Sequence, residues 1–294
     1  MMNRETRKLV GIVTPMFFAA TMHGDLSKLY AQDADSSLTW TLLPAKNDVF
    51  PGEPVLLVVE IGNQGKEEVG LDFGWDGLGA FSFKVQSITD EIVRQGPSLT
   101  PEGGIATIDR IVIPSGATRE KRLVLNRWCS TNLPVGDYRV TCRVEPRMMP
   151  PAEATCTIRI TNADEEHVRQ VFAALAQNAF NPIRSPETMH SLEMLAFTNS
   201  PSAVNYQVRI VRDYSTFNRL GERTMETLIA NRTPESLQAL ISVCENDSFT
   251  SRMRRIAIKG IYDLRETVGT PEILLATEGI VTRHPKPILE KILD

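Results

Sequence analysis

Glu187 and His190 stand three residues apart as E-x-x-H, a spacing that sets a carboxylate and an imidazole on one helix face, where both could reach one metal ion. A di-iron bundle needs two such pairs and two more carboxylates, and the sequence supplies one pair. The two residues therefore read as a solvated helix face near Glu193, and no metal site is assigned. The four cysteines, Cys129, Cys142, Cys156 and Cys244, show no C-x-x-C spacing and no neighbouring histidine pair, so zinc and dithiol redox chemistry are not indicated. The stretch GWDGLGA (74–80) has glycines in number but not in the spacing of a phosphate-binding turn, and no helical pattern follows it. It reads as a loop before a strand at Phe81, on which Trp75, with Phe73 near it, could stack on a sugar or clamp a peptide. G-x-S-x-G, G-x-x-x-x-G-K-[ST] and H-E-x-x-H are all missing, so no catalytic residue and no cofactor is assigned and the expectation is a protein that is not an enzyme.

The elements that would carry these residues divide by period. With 294 residues, 42% hydrophobic and 23% charged, the chain suits about two globular domains. Its net charge of −4 gives no general electrostatic reason to bind nucleic acid or an anionic membrane. Arg4, Arg7 and Lys8 precede the apolar run Leu9–Ala20, the order of a secretory leader and too short a run to span a bilayer. Residues 1–32 are thus expected to be a leader. The protein would then be exported, periplasmic or extracellular, with no membrane span after leader removal; without cleavage it would be cytoplasmic.

Residues 33–162 read as short alternating runs broken by Gly, Pro, Asn and Asp: LTWTLL, PVLLVVEI, EEVGLDF, AFSFKVQ, IATIDRIVI, KRLVLNRW, GDYRVTCRV and ATCTIRI. That pattern predicts an antiparallel β-sandwich, with an irregular loop over Gln95–Gly104. Cys142 and Cys156 fall on adjacent strand-like runs and could meet as a disulfide across a hairpin in an oxidising compartment, or stay as two buried thiols. At Asn162 the period becomes helical, with Asn162 and Glu165 placed to cap reciprocally, so residues 163–294 form a second, helical domain. SPET (185–188), SPSA (200–203), TPES (233–236) and TPEI (270–273) each place a capping hydroxyl before a proline and predict helix starts. Pro201, Pro234 and Pro271 recur at the spacing of stacked helix pairs. Met253, Ile256, Ala257, Gly260, Ile261 and Leu264 form one apolar stripe, and Cys244 joins Leu237, Leu240 and Ile241 on another. Arg252, Arg254, Arg255 and Lys259 read as a solvated, partly paired face.

PGEPVLLVVEIGNQG (51–65) and LPVGDYRV (133–140) resemble the strands and turns of bacterial immunoglobulin-like sandwich domains. SRMRRIAIKGIYDLRETVGTPEILL (251–275) is similar to HEAT-type helical repeats, with Arg254, Ala257, Leu264, Gly269, Pro271 and Glu272 at the positions those repeats use. The second resemblance implies a scaffold that binds an unidentified protein partner, with Glu235, Gln238 and Glu272 on the helices that line its surface. Two alternatives accompany it: glycan binding by the sandwich through the Trp75 loop, and a proteinase inhibitor or hydrolase whose site is assembled from distant residues. If residues 1–32 are a leader, N-terminal sequencing of the protein from its native host will find the mature chain beginning downstream of Ala20. A retained Met1 or Met2 would exclude export.

Overall fold

The structure is a computed structural model that describes residues 37–75, 77–89, 93–95, 108–129, 132–215 and 219–285. The expected leader and all of the Gln95–Gly104 loop except Gln95 lie outside these residues.

Ten strands come first among the described residues: β1 (Leu38–Pro44), β2 (Asp48–Val49), β3 (Leu56–Asn63), β4 (Val69–Trp75), β5 (Phe81–Ser87), β6 (Val93–Gln95), β7 (Ile108–Ile113), β8 (Thr118–Val124), β9 (Gly136–Val144) and β10 (Ala152–Ile160). They form three open sheets, ordered β1-β3-β8, β2-β10-β9-β5-β6 and β4-β7. Period-two alternation sets their faces. Phe81, Phe83 and Val85 of β5 point inward while Lys84 and Gln86 are exposed, and Leu57, Val59 and Ile61 of β3 are fully buried at every second position. All of these join one apolar cluster, in which the Trp128 indole lies 4.9 Å from the Phe83 ring and donates to the Phe81 carbonyl at 3.0 Å. The expected wholly antiparallel arrangement needs one correction, because the two-residue strand β2 pairs parallel to β10. So short a strand carries no period to read. The run KRLVLNRW is also shorter as a strand than its alternation suggests: after Val124, residues Leu125–Arg127 wind into a 3-10 turn. Beside that turn, Asn126 Oδ1 accepts the Val55 N–H at 2.8 Å.

Seven helices follow among the described residues: α1 (Glu165–Ala179), α2 (Pro186–Phe197), α3 (Val204–Asp213), α4 (Leu220–Asn231), α5 (Pro234–Glu245), α6 (Ser251–Thr267) and α7 (Pro271–Arg283). Ser185, Thr233 and Thr270 cap α2, α5 and α7 with proline in the first turn, as the motif predicts. The other two expected starts are corrected. SPSA opens a 3-10 turn, Pro201–Ala203, with no side-chain cap at Ser200, and α3 begins only afterwards. Helix α1 is capped by Asp164, which accepts the His167 N–H at 2.7 Å, so Asn162 lies two residues too early for the reciprocal cap. Helix α4 is bounded by Arg219 and Arg232, both in the left-handed region where arginine is uncommon, and so carries no readable cap.

The helices stack as a repeat array does. Helix α1 packs on α2, α3 on α4 and α5 on α6, while α2, α4 and α6 follow one another in one layer and α3, α5 and α7 in the other. Met253, Ala257, Ile261 and Leu264 of α6 are buried in the shared apolar cluster. At Gly260 a Cβ would come within 2.4 Å of the Ile229 side chain, so glycine lets α6 approach α4 closely. Gly269, at φ +52, lets α6 end. Leu264→Ala should therefore cost about 2–5 kcal/mol through the cavity it leaves. Thr270→Ala, whose hydroxyl sits a long 3.5 Å from the Ile273 N–H, should cost only about 0.5 kcal/mol. Urea melts of both variants test this; a Leu264→Ala loss no larger than that of Thr270→Ala would refute the stacking.

Candidate functional site

Strand β8 is an edge strand of its sheet, and α2 packs against it, covering backbone that would otherwise be open to another chain. Between them lies a hollow of about 210 Å³ lined by Leu78, Lys121, Arg122, Leu123, Val124, Arg127, Met189, His190 and Glu193. Strand β8 and the 3-10 turn after it supply three cations, and α2 supplies a histidine and a carboxylate.

Arg127 is the most enclosed of these groups. Its side chain is 7% exposed, its Nη1 donates to Glu193 Oε1 at 3.2 Å, and its guanidinium lies 4.9 Å from the Phe197 ring centroid. A guanidinium stays protonated at any accessible pH, so at that burial it needs a fixed anion, and Glu193 supplies it. Burial pushes the Glu193 carboxyl up, and the charges of His190 and Lys121 pull it down. On balance the carboxyl stands above its usual range, with the Arg127 Nη1 donating to it. Lys121 bonds to Asp109 of β7 and lies over the Phe73 and Phe81 rings at 5.2 and 5.6 Å, which ties the edge strand to the β4-β7 ribbon and to the core. Half-buried His190 has its ring nitrogen Nδ1 enclosed without a hydrogen-bond partner. Burial moves the His190 pKa below its ordinary value, Arg122 adds to that, and Glu193 and Glu187 oppose it. The polar groups of the lining are Lys121, Arg122, Arg127, His190 and Glu193, a set suited to acid–base and ion-pair chemistry.

A second junction lies beyond it. Phe50, next to β2, packs among the helices and meets Phe172 edge-on at 6.0 Å. Thr198, just past α2, donates its hydroxyl to the Gly52 carbonyl. The hollow beside this junction, about 360 Å³, is lined by Phe50, Pro51, Ala163, Glu165, Val168, Arg169, Ser200 and Ser202, with Arg169 already bonded to Glu166.

The residues singled out in the sequence are dispersed. Phe73 is not an exposed contact: it is 2% exposed and stacks on Phe81 at 5.3 Å, because the inward face of β4 claims it. Trp75 ends β4, paired with Ile108, and its side chain lies outside the described residues. The Cys142–Cys156 disulfide is absent and both thiols are free. The register sets Cys142 opposite Ala154 and Cys156 opposite Val140, a diagonal relation too long for the bond. Burial pushes both thiols up to about 12, so they remain protonated. Cys244 is a buried thiol pushed up to about 12 by the same cause. Glu235 and Gln238 on α5 and Glu272 on α7 are all exposed. Of the basic face on α6, Arg252 pairs with Glu222 and Arg254 with Asp247. Glu187 is exposed at the start of α2, where its own backbone N–H and then the Ser185 hydroxyl hold its carboxyl below the usual range. His190, three residues on, turns into the hollow, and Glu193 is not on a solvated face but in the ion pair. Among the described residues no group of three or more His, Cys, Asp or Glu is placed to hold a metal ion.

The pair predicts an asymmetric response. Glu193→Ala strands the Arg127 charge and should cost about 2–4 kcal/mol, below the value for a fully buried pair because Glu193 is 28% exposed. Arg127→Met removes the charge together with its need for a partner and should cost about 1 kcal/mol. Denaturant melts at pH 7.5 compare them, and equal losses would mean that the buried charge is not what the carboxylate serves.

No protein-family model matches the sequence, and no curated protein matches it. A red sea bream transglutaminase aligns with a TM-score of 0.28 at 10% identity, over 44% of this chain and 17% of its own. The sporulation control protein Spo0M of Bacillus subtilis aligns at 0.28 and 10%, over 49% of this chain and 54% of its own. A β-glucosidase from Listeria innocua aligns at 0.26 and 12%, over 42% and 16%. The chain thus spans about half the length of Spo0M and less than a fifth of the other two. Likenesses this low carry no inference about fold or activity.

Proposed function

We propose that the chain is a non-catalytic, exported interaction protein, in which an immunoglobulin-like sandwich carries a HEAT-like helical array that binds another protein through the outer stripe of α5 and α7. The observation that carries the reading is Leu275, 81% exposed on α7 and three residues from Glu272 on the same helix face. On α5, Glu235, Gln238, Ser242 and Glu245 are exposed at helical spacing, and Arg283 of α7 bonds to Glu245 at 2.7 Å, joining the two stripes. Leu274 and Val268 add exposed apolar surface at the same end of the array. An apolar group rimmed by carboxylates and amides suits a protein partner with an apolar anchor and a basic rim.

The immunoglobulin-like identity is supported by Tyr138, near the start of β9, whose hydroxyl donates to the Pro134 carbonyl at 2.9 Å, as the corner tyrosine of such sandwiches does. The HEAT-like identity is supported by the two helical layers and by the Gly269–Thr270–Pro271 turn between α6 and α7. No helix among the described residues is long and apolar enough to cross a membrane.

Cross-linked capture from the native host tests the assignment with three baits: the unmutated chain, Leu275→Arg and Trp75→Ala. Proteins captured by the unmutated chain should be retained by Trp75→Ala and depleted at least about tenfold by Leu275→Arg, with both variants melting as the unmutated protein does. Loss with Trp75→Ala and retention with Leu275→Arg would transfer the function to the sandwich and favour its glycan-binding alternative.

A further inference from the structure

Three cationic groups face Glu193: Arg127, bonded to it from the sheet side of the hollow, Lys121 of β8, which Asp109 already engages, and His190, one turn earlier on its own helix. At neutral pH His190 is the uncharged one of the three. We propose that His190 is a pH-sensitive release on this tie, which when protonated competes with Arg127 for the Glu193 carboxylate and loosens α2 from the β8 edge.

The geometry supplies each part. The imidazolium has donors at both ring nitrogens, and Nδ1 is enclosed with no acceptor. A proton taken from solvent therefore creates a buried donor that lacks a partner, and a carboxylate three residues along the same helix is the acceptor that can turn to it. The charges around His190 decide the direction. From its own helix it meets Glu187 and Glu193, from β8 it meets Arg122 and Lys121, and from the 3-10 turn it meets Arg127; Leu78, Leu123, Val124 and Met189 complete the lining without charge. Lys121 is already engaged by Asp109, and Glu187 sits in solvent at the helix start. A fourth positive charge in the hollow thus falls mainly on Glu193, and whatever Glu193 gives to His190 it withdraws from Arg127. Because the fold disfavours the imidazolium, the stability that neutral His190 contributes is present above its ordinary value of about 6.5. It is lost as pH falls below that value toward the folded-state pKa. Phe50 among the helices and Thr198 on the Gly52 carbonyl remain, so acid loosens one junction while the other holds.

A double-mutant cycle on Arg127→Met and Glu193→Gln, read by denaturant melts at pH 7.5 and pH 5.5, tests the release in two backgrounds. With His190 present, the coupling should be about tenfold in the folding equilibrium constant at pH 7.5 and about twofold at pH 5.5. With His190→Gln it should stay near tenfold at both. Unchanged coupling across pH with His190 present would overturn the proposal. So would an equal loss in the His190→Gln background, which would assign the effect to protonation of Glu193 itself. If the cycle variants do not melt reversibly, hydrogen exchange at the Leu125, Trp128 and Cys129 amides serves instead. Their protection factors should fall several-fold between pH 7.5 and 5.5 in the unmutated protein and hold in His190→Gln; equal behaviour of the two proteins refutes the release.

Discussion

A guanidinium cannot shed its charge, so an arginine whose side chain is 7% exposed dictates what surrounds it. Arg127 follows the strand that ends at Val124, and the 3-10 turn carries it off the sheet toward the helices. Glu193 must come to it, which fixes the rotation of α2 about its axis. Phe197, one turn further along, then presents its ring to the same cation. With α2 set in this way, its other face supplies Leu192, Leu195 and Ala196 to the apolar cluster that also takes in α1, α3 and Phe50. The charge pair is weak as a source of net stability, since its desolvation offsets most of its attraction. Its consequence is geometric: one register of α2 against β8 satisfies the charge, and others leave it stranded.

The helical array works by a different rule. From α2 onward each helix meets its neighbour and its next-but-one, and the stability of such an array is a sum of local interfaces. Capping hydroxyls and first-turn prolines place the starts of α2, α5 and α7, and small residues such as Gly260 set how closely helices approach. Helix α7 is buried chiefly through Thr277 and Ile280 and leaves Leu275 in solvent, while Glu278 and Arg283 tie it to α6 and α5 by ion pairs.

What the sequence made legible follows the same division. Alternation in AFSFKVQ and GDYRVTCRV, and the stripe from Met253 to Leu264, translate directly into buried faces, because each is a one-body preference repeated along an element. The parallel pairing of β2, the cap at Asp164 and the left-handed ends of α4 depend on neighbours distant in sequence or on a single dihedral, and no period announces them. Phe73 shows the cost of reading an aromatic beside a glycine turn as exposed: β4 continues through it and places it on the inward face. Glu187, His190 and Glu193 were visible as a spacing of three and three, yet their roles part company because α2 rotates the last two toward β8. Arg127 gave no sign of its importance within KRLVLNRW. Its partner lies 66 residues away, and burial of a charge is a property of the pair.

Secondary structure changes type between Ile160 and Glu165, and period alone would place the limit of one folding unit there. Packing does not stop at that point. Phe50 follows β2 directly, but its ring belongs to the helical cluster, and Arg127, just past β8 of another sheet, also reaches the helices. Cutting the chain near residue 162 would therefore expose an apolar ring and unpair a buried cation, while leaving the core around Phe81 and the stack from α4 to α7 untouched. The two contacts differ in what governs them: burial of Phe50 has no proton to exchange, whereas the Arg127–Glu193 bond sits beside a histidine that does. A junction held by apolar packing at Phe50 and by a charge pair at Arg127 can yield at the second contact while the first persists, because only the second depends on charge.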